Sequence, residues 1–304
     1  MTTKNYSPGV VVEFCGGIGN QLFQIAAGYA AARKFSCPYY VKKSVHWNHH
    51  QKSVNYFDTI FRFMGYHLDA ENYDTMIKTL FPVKKNYIHN YIHQFMISTE
   101  AYCTDHVEIP VIFNQYSQYY PPLRPYEREI RGILSIGLSP YEKSIKCEYL
   151  ESGVNFEKSA FLHVRRGDYL MYPDRHPVLP LSYYETCLTR LLELNPEIEK
   201  IFVFSDDLEW IKSDAFPIGC RPEVEIVETD DEIYTLTFMS MCKSGSICAN
   251  SSFSWWGAFL GAYEYRNPVF VPDTWILNTF KAELFPKEWI ISGGTGGPPN
   301  KIDY

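Results

Sequence analysis

Short apolar runs separated by polar, glycine-containing segments dominate the second half of the chain. Ala160–Val164, Ile201–Phe204, Val224–Val227, Ser246–Ala249 and Val269–Val271 are too short for helices, and they predict buried strands. The spacing between them predicts helices. One starts at Ser182–Tyr183–Tyr184–Glu185, which fits a capping box, and a short one follows Ser205–Asp206–Asp207. Two more run over about Asp231–Lys243 and through Trp255–Tyr263. The first half opens in the same way. Val10, Val11, Val12 and Phe14 predict a strand, and Cys15–Gly19 a loop. Asn20–Lys34 predicts a helix with Leu22, Ile25, Ala26, Tyr29 and Ala30 on one face, and Tyr39–Val41 a second strand.

From His46 to Gln118 the pattern shows no period, only short helices and loops rich in Tyr, His, Asn and Phe. Tyr119–Pro125 breaks regular structure, and a helix from about Tyr126 to Ile136 follows. Gly137, Pro140 and Gly153 place an interdomain crossing around Leu138–Lys158, giving domains of 1–150 and 151–304. Strand–helix alternation predicts an α/β fold with parallel, doubly wound sheets. Ligands of such sheets sit at the carboxyl ends of strands. The polar blocks Arg165–Arg166, Asp206–Asp207 and Asn250–Ser254 fall at those ends.

Composition narrows the function. The 304 residues are 46% hydrophobic and 21% charged, as in a globular protein. A net charge of -7 argues against nucleic acid as the main partner, so local positive charge has to act at a site. The eight cysteines show no CxxC pair and no regular spacing, which fits a reduced, cytoplasmic setting. No basic-then-apolar leader and no run approaching a membrane span is present, so the expectation is a soluble protein. The sequons at Asn5 and Asn250 then carry no meaning.

Candidate chemistry lies in four blocks. Phe161–Tyr169, FLHVRRGDY, ends an apolar strand in two adjacent guanidinium groups that repel each other and cannot lose their protons. A phosphate or pyrophosphate is the usual reason for such a pair; an exposed pair bridged to Asp168 is the alternative. Asp168 could orient an arginine or act as a base, and His163 could donate to a ligand or be a satisfied core histidine. Gly17–Ile18–Gly19–Asn20–Gln21–Leu22 starts like a dinucleotide fingerprint, but its third glycine is Leu22 and no acidic residue stands near Tyr39–Val41. NAD and FAD are therefore not expected. The loop still exposes N–H groups and neutral amides, or forms only a turn capped by Asn20.

Asp206–Asp207 could contact a metal or nucleotide, or simply open the next helix. His46, His49, His50, His89 and His93 lack Cys or carboxylate partners in a ligand pattern, so no metal site is expected. Asn250–Gly257, NSSFSWWG, brings small hydroxyl residues to a helix start that suits an anion. Trp255 and Trp256 anchor that helix, at least one of them in the core.

Together, GGIGNQLFQ (Gly16–Gln24), HVRRGDY (His163–Tyr169), FSDDLEW (Phe204–Trp210) and NSSFSWWGAF (Asn250–Phe259) resemble the successive signatures of the α-1,2-fucosyltransferases of glycosyltransferase family 11. The resemblance spans about residues 10–290; residues 46–120, where acceptor choice would reside, match no pattern of the family. It implies a GT-B fold of two Rossmann-like domains facing across a cleft, and inverting transfer from GDP-L-fucose to the 2-hydroxyl of a terminal β-galactoside. No metal or other cofactor is implied.

Carried onto this chain, Arg165 is the leading β-phosphate ligand, supported by Arg166. His163 and Asp206 would contact the guanosine part, Ser251, Ser252 and the following helix start would hold the phosphates, and Asp207, Asn250, Phe253 and Ser254 complete the donor-binding set. Gly17, Asn20 and Gln21 would lie on the acceptor side. Asp168 and Glu13 are the two candidate carboxylate bases, with late proton transfer through water or phosphate as the alternative, and Asp168 is the expected base. A transferase for another GDP-sugar, or a non-catalytic GDP-sugar or glycan-binding protein, remains compatible with the same motifs.

Overall fold

A computed structural model describes residues 6–43, 46–47, 53–80, 110–113, 116–213, 216, 222–262, 267–276 and 283–293. His49, His50, His89, His93, Cys103, Cys220 and Asn5 lie outside the described residues. The chain divides into two compact units, Met1–Leu138 with Ala282–Phe285 and Ser139–Lys281 with Pro286–Tyr304.

The first unit is built on a four-stranded sheet of order β5-β2-β1-β6, with all neighbours parallel. Its strands are β1 (Val10–Val12), β2 (Tyr39–Lys42), β5 (Tyr66–Leu68) and β6 (Val111–Phe113). β3 (His46–Trp47) and β4 (Ser53–Val54) form a separate antiparallel pair. The expected β–loop–α–β start is present, with α1 at Ile18–Phe35. α1 packs so closely on the sheet that a Cβ at Gly28 would strike Val12 and Tyr39. α2 (Ala70–Leu80) carries Tyr73 and Met76 into a cluster with Val11, Tyr40, Leu68 and Ile112.

α3 (Glu127–Glu148) differs from expectation. It runs through Gly137 and Pro140 into the segment read as the crossing. Buried Ile130, Leu134, Leu138 and Ile145 keep the helical period across it. A proline inside a helix costs about 3 kcal/mol, and a sustained apolar stripe offsets that.

The second unit holds a six-stranded parallel sheet of order β12-β11-β10-β7-β8-β9. Its strands are β7 (Ser159–Val164), β8 (Lys200–Ser205), β9 (Glu223–Ile226), β10 (Gly245–Ile247), β11 (Val269–Pro272) and β12 (Ile290–Ser292). The helices are α4 (Leu181–Leu194), α5 (Leu208–Ile211), α6 (Glu232–Met241) and α7 (Ser252–Gly261).

The capping box at Ser182 is not formed. The N-cap is Pro180, two residues earlier, so Ser182 lies inside the first turn and no side chain caps the helix. The alternation along β7 sends Ala160, Leu162 and Val164 into a core with Tyr183, Tyr184, Cys187 and Leu191 of α4. Phe161 packs edge-on against Phe204, whose ring meets Phe238 of α6. The chain runs outward from β7 through β8 and β9, then returns to β10 on the other side of β7. The strand order therefore reverses between β7 and β10, the place where open α/β sheets bind ligands.

Candidate active site

Two of the four motif blocks leave the sheet on either side of that reversal. HVRRGDY ends β7, and Asn250–Ser254 follows β10 into α7. FSDDLEW ends β8, the next strand over. The glycine loop belongs to the first unit.

Neither arginine is a free surface cation. Arg165 Nη2 lies 2.8 Å from Asp168 Oδ1 and its Nη1 lies 3.2 Å from Asp206 Oδ2, with its side chain only 13% exposed. Arg166 Nε donates to Asp207 Oδ2 at 3.0 Å, and its guanidinium lies over the Trp210 ring, 4.1 Å from the centroid. The bridge to Asp168 belongs to the alternative reading, but it is made by a mostly buried arginine with a second carboxylate partner and not by an exposed pair. Three carboxylates hold two guanidinium groups together. That arrangement explains how adjacent like charges persist at one strand end.

Asp206 also accepts the backbone N–H of Arg166 at 2.9 Å. A Cβ at Gly167 would collide with the same carboxylate, so glycine is required there for this approach. Asp207 is the N-cap of α5, its Oδ1 accepting the Trp210 N–H at 3.1 Å. Of the two readings of the Asp206–Asp207 pair, helix opening is seen at Asp207, and both carboxylates also brace the arginines.

His163 is 5% exposed, and its Nδ1 is buried without a hydrogen-bond partner. Phe253 is its ring neighbour at 6.0 Å. Burial, and then the Arg165 charge, lower its pKa from 6.5 to about 3, so the imidazole is neutral in the folded protein. The unfolded chain takes up a proton near pH 6.5, so stability falls as pH drops from 6.5 toward 3. His163→Gln is expected to remove that dependence. Its melting temperature relative to wild type should rise between about pH 8 and about pH 5, and a difference independent of pH would contradict a neutral buried imidazole.

After β10, the side chains divide by role. Asn250 is 1% exposed, and its Nδ2 donates to Pro177 O at 2.9 Å and to Trp275 O at 3.2 Å. Its Oδ1 is buried without a hydrogen-bond partner. An acceptor atom suits an N–H or O–H donor rather than a phosphate oxygen. Ser254 is fully buried, with its hydroxyl on Ala249 O and Ser251 O. Ser251 caps α7, its Oγ accepting the Phe253 N–H at 3.3 Å. Ser252 starts the helix, three residues earlier than the spacing suggested. The amide groups of this ten-residue helix point its partial positive charge at the reversal point. Trp255 and Trp256 are both fully buried, so core packing is the role of both.

In the first unit, Gly16 has φ 75°, and Gln21 Nε2 donates to its carbonyl at 2.9 Å. Asn20 Oδ1 accepts from Gln118 Nε2 at 2.6 Å. A Cβ on Gly17 would meet nothing within 4 Å, so the loop has open space beside it. Glu13, at the end of β1, accepts from Tyr73 Oη, and Lys42 Nζ lies 3.6 Å away.

Sequence reasoning missed Tyr169 and His176. Their rings stack at 4.5 Å with 18° between planes, and Tyr169 lies 5.3 Å from the Arg165 guanidinium. Tyr169 could be read as the end of its motif. No local signal distinguishes His176 within the loop Tyr172–Pro180.

Among the described residues, no helix is long and apolar enough to cross a membrane. Two parallel α/β sheets, the second with polar strand ends at its reversal point, define a two-unit, doubly wound α/β architecture. The chain belongs to glycosyl transferase family 11, whose profile matches residues 9–292. It is 30% identical over 310 residues to an alpha-1,2-colitosyltransferase of Escherichia coli, covering 92% of this chain and 98% of the relative. It is 27% identical over 311 residues to the O-antigen biosynthesis glycosyltransferase WbnK of Escherichia coli, covering 90% and 97%. POFUT1 in its crystal structure in complex with GDP shares the GT-B fold at a TM-score of 0.51 and 13% identity, over 86% of this chain and 98% of that one. The chain is thus a glycosyltransferase with a GT-B fold.

Proposed function

We propose that the protein transfers L-fucose from GDP-L-fucose to the 2-hydroxyl of a terminal β-galactoside, with inversion and without a metal ion. The carrying observation is the pair Arg165–Arg166 and the α7 N-terminus on the two strands that flank the reversal of the sheet. In the reaction the bond from fucose C1 to the β-phosphate oxygen breaks as the acceptor oxygen attacks C1 from the opposite face. Negative charge grows on the departing phosphate, and fixed cations and amides aimed there lower the barrier. The acceptor hydroxyl loses its proton during the transfer.

Asp168 is bridged to Arg165, which favours the orienting role over that of base. Asp206 and Asp207 already accept from guanidinium and amide groups, which supports the reading that arginines meet the phosphate charge. Nucleotide binding by POFUT1, solved with GDP, supports the donor class through the shared fold. A second reading, transfer of another GDP-sugar on the same scaffold, is favoured by the relative named an alpha-1,2-colitosyltransferase.

A donor panel tests both. GDP-fucose, GDP-colitose, GDP-mannose and UDP-sugars are compared with lactose as acceptor in excess EDTA. GDP-fucose is expected to give the 2-linked product at undiminished rate under chelation. Preference for GDP-colitose would establish the second reading. Loss of activity on chelation, restored by a divalent ion, would overturn metal independence and make Asp206–Asp207 a metal site.

A further inference from the structure

The loop Tyr172–Pro180 is tied to the arginine site by a closed ring of contacts. The Arg165 guanidinium carbon lies 5.3 Å from the Tyr169 ring centroid. Tyr169 stacks on His176 at 4.5 Å and donates its hydroxyl to Asn250 O at 3.0 Å. Asn250 in turn donates from Nδ2 to the carbonyl of Pro177, the residue after His176, at 2.9 Å. The backbone N–H groups of Arg175 and His176 both donate to Tyr172 O, at 3.0 and 2.9 Å, which winds the loop back under its own rings. Burial keeps Tyr169 a phenol, with its pKa pushed up to about 12, so the donation to Asn250 O persists across the working pH range.

We infer that His176 is a positioning residue. Through the face of Tyr169, it sets the aim of the Arg165 guanidinium, and the Asn250 amide fixes the loop for that purpose. A guanidinium lying against a ring can slide along it unless the ring itself is fixed. Asp168 and Asp206 restrain the Nη groups of Arg165, while the Tyr169 ring supports the plane. His176 supports the ring from its stacked face. Asn250 thereby belongs to the positioning apparatus through both its backbone carbonyl and its side-chain amide. The inference rests on the proposed phosphate role of Arg165.

A double-mutant cycle separates the two ideas, with turnover on GDP-fucose and lactose and GDP affinity as parallel readouts. His176→Ala is expected to lower turnover about ten-fold or more in the wild-type background, and to change little once Arg165 is Ala or Lys. His176→Phe, which keeps a flat ring, should restore most of the rate; His176→Leu, similar in bulk but without a flat face, should not. Equal losses from His176→Ala with and without Arg165, or equal losses for Phe and Leu at 176, would overturn the positioning role. If Arg165→Ala itself leaves both turnover and GDP affinity unchanged, the phosphate assignment fails instead.

Discussion

Arg165→Ala is expected to lower turnover by about 10²–10³ while the fold survives, because one transition-state donor removed from a preorganised site typically costs that much. Arg165 is mostly buried and held by two carboxylates at 2.8 and 3.2 Å, so its guanidinium is oriented before any ligand arrives. That preorganisation makes its loss larger than the loss of a mobile surface cation, whose ion pair is worth about 1 kcal/mol at most. Arg165→Lys should restore little, since a point charge cannot reach Asp168 and Asp206 in the same fork. Steady-state kinetics with far-UV circular dichroism as the fold control measures this. Near-native turnover in the alanine variant would contradict the phosphate assignment.

The second large effect is on stability. Trp255→Ala is expected to destabilise the second unit by about 3–5 kcal/mol, the usual cost of emptying a buried tryptophan site. Trp255 is fully buried, stacks on Phe259 at 5.0 Å, and meets Trp256 at 5.1 Å and Trp289 at 5.3 Å. The opposite side of α7 leaves no slack for collapse, because Gly257 lies against Met239 and Gly261 against Ser240 so closely that a Cβ would touch them. The helix that presents Ser251 and Ser252 is thus anchored by its aromatic residues. Urea unfolding followed by circular dichroism checks this, and a loss under about 1 kcal/mol would show that the site can repack.

Much of this architecture was legible in the chain. β1, α1 and β2 carry dense apolar runs with clear periods, and so do the strands β7, β8, β10 and β11. The parallel order followed from their alternation with helices. β5 was not legible, because Tyr66 is 68% exposed and its three residues lack an apolar alternation. α2 buries only Tyr73 and Met76, one turn apart, so its stripe is too thin to stand out. The α4 start was misread because Ser182 and Glu185 have capping-box chemistry at a helix that Pro180 already opens. At the candidate site, the polar blocks do fall at the ends of β7, β8 and β10, where the sequence pattern put them. The pairings did not show, since Arg166 finds Asp207 across 41 positions and Tyr169 finds Asn250 across 81. Local patterns carry no information on contacts made by the crossing of strands. The same limit hid the anchoring of the His176 loop, whose Pro177 carbonyl meets Asn250 only once β7 and β10 lie side by side.

GDP titration by calorimetry, without any acceptor, tests the central assignment most directly. Asp206→Ala removes the brace on Arg165 and on the Arg166 amide, and Ser252→Ala alters the α7 start. Each hydrogen bond lost at a charged group costs about 1.5–3 kcal/mol, a ten-fold change in affinity or more. Asn20→Ala and Gln21→Ala, in the first unit, should leave GDP affinity within about a few-fold of wild type, because a ligand held at the reversal of one sheet is held by that sheet's strand ends. Weakening by Asp206→Ala and Ser252→Ala alone is the predicted result. Loss of GDP binding in Asn20→Ala with none in Asp206→Ala would contradict it and place the nucleotide on the first unit.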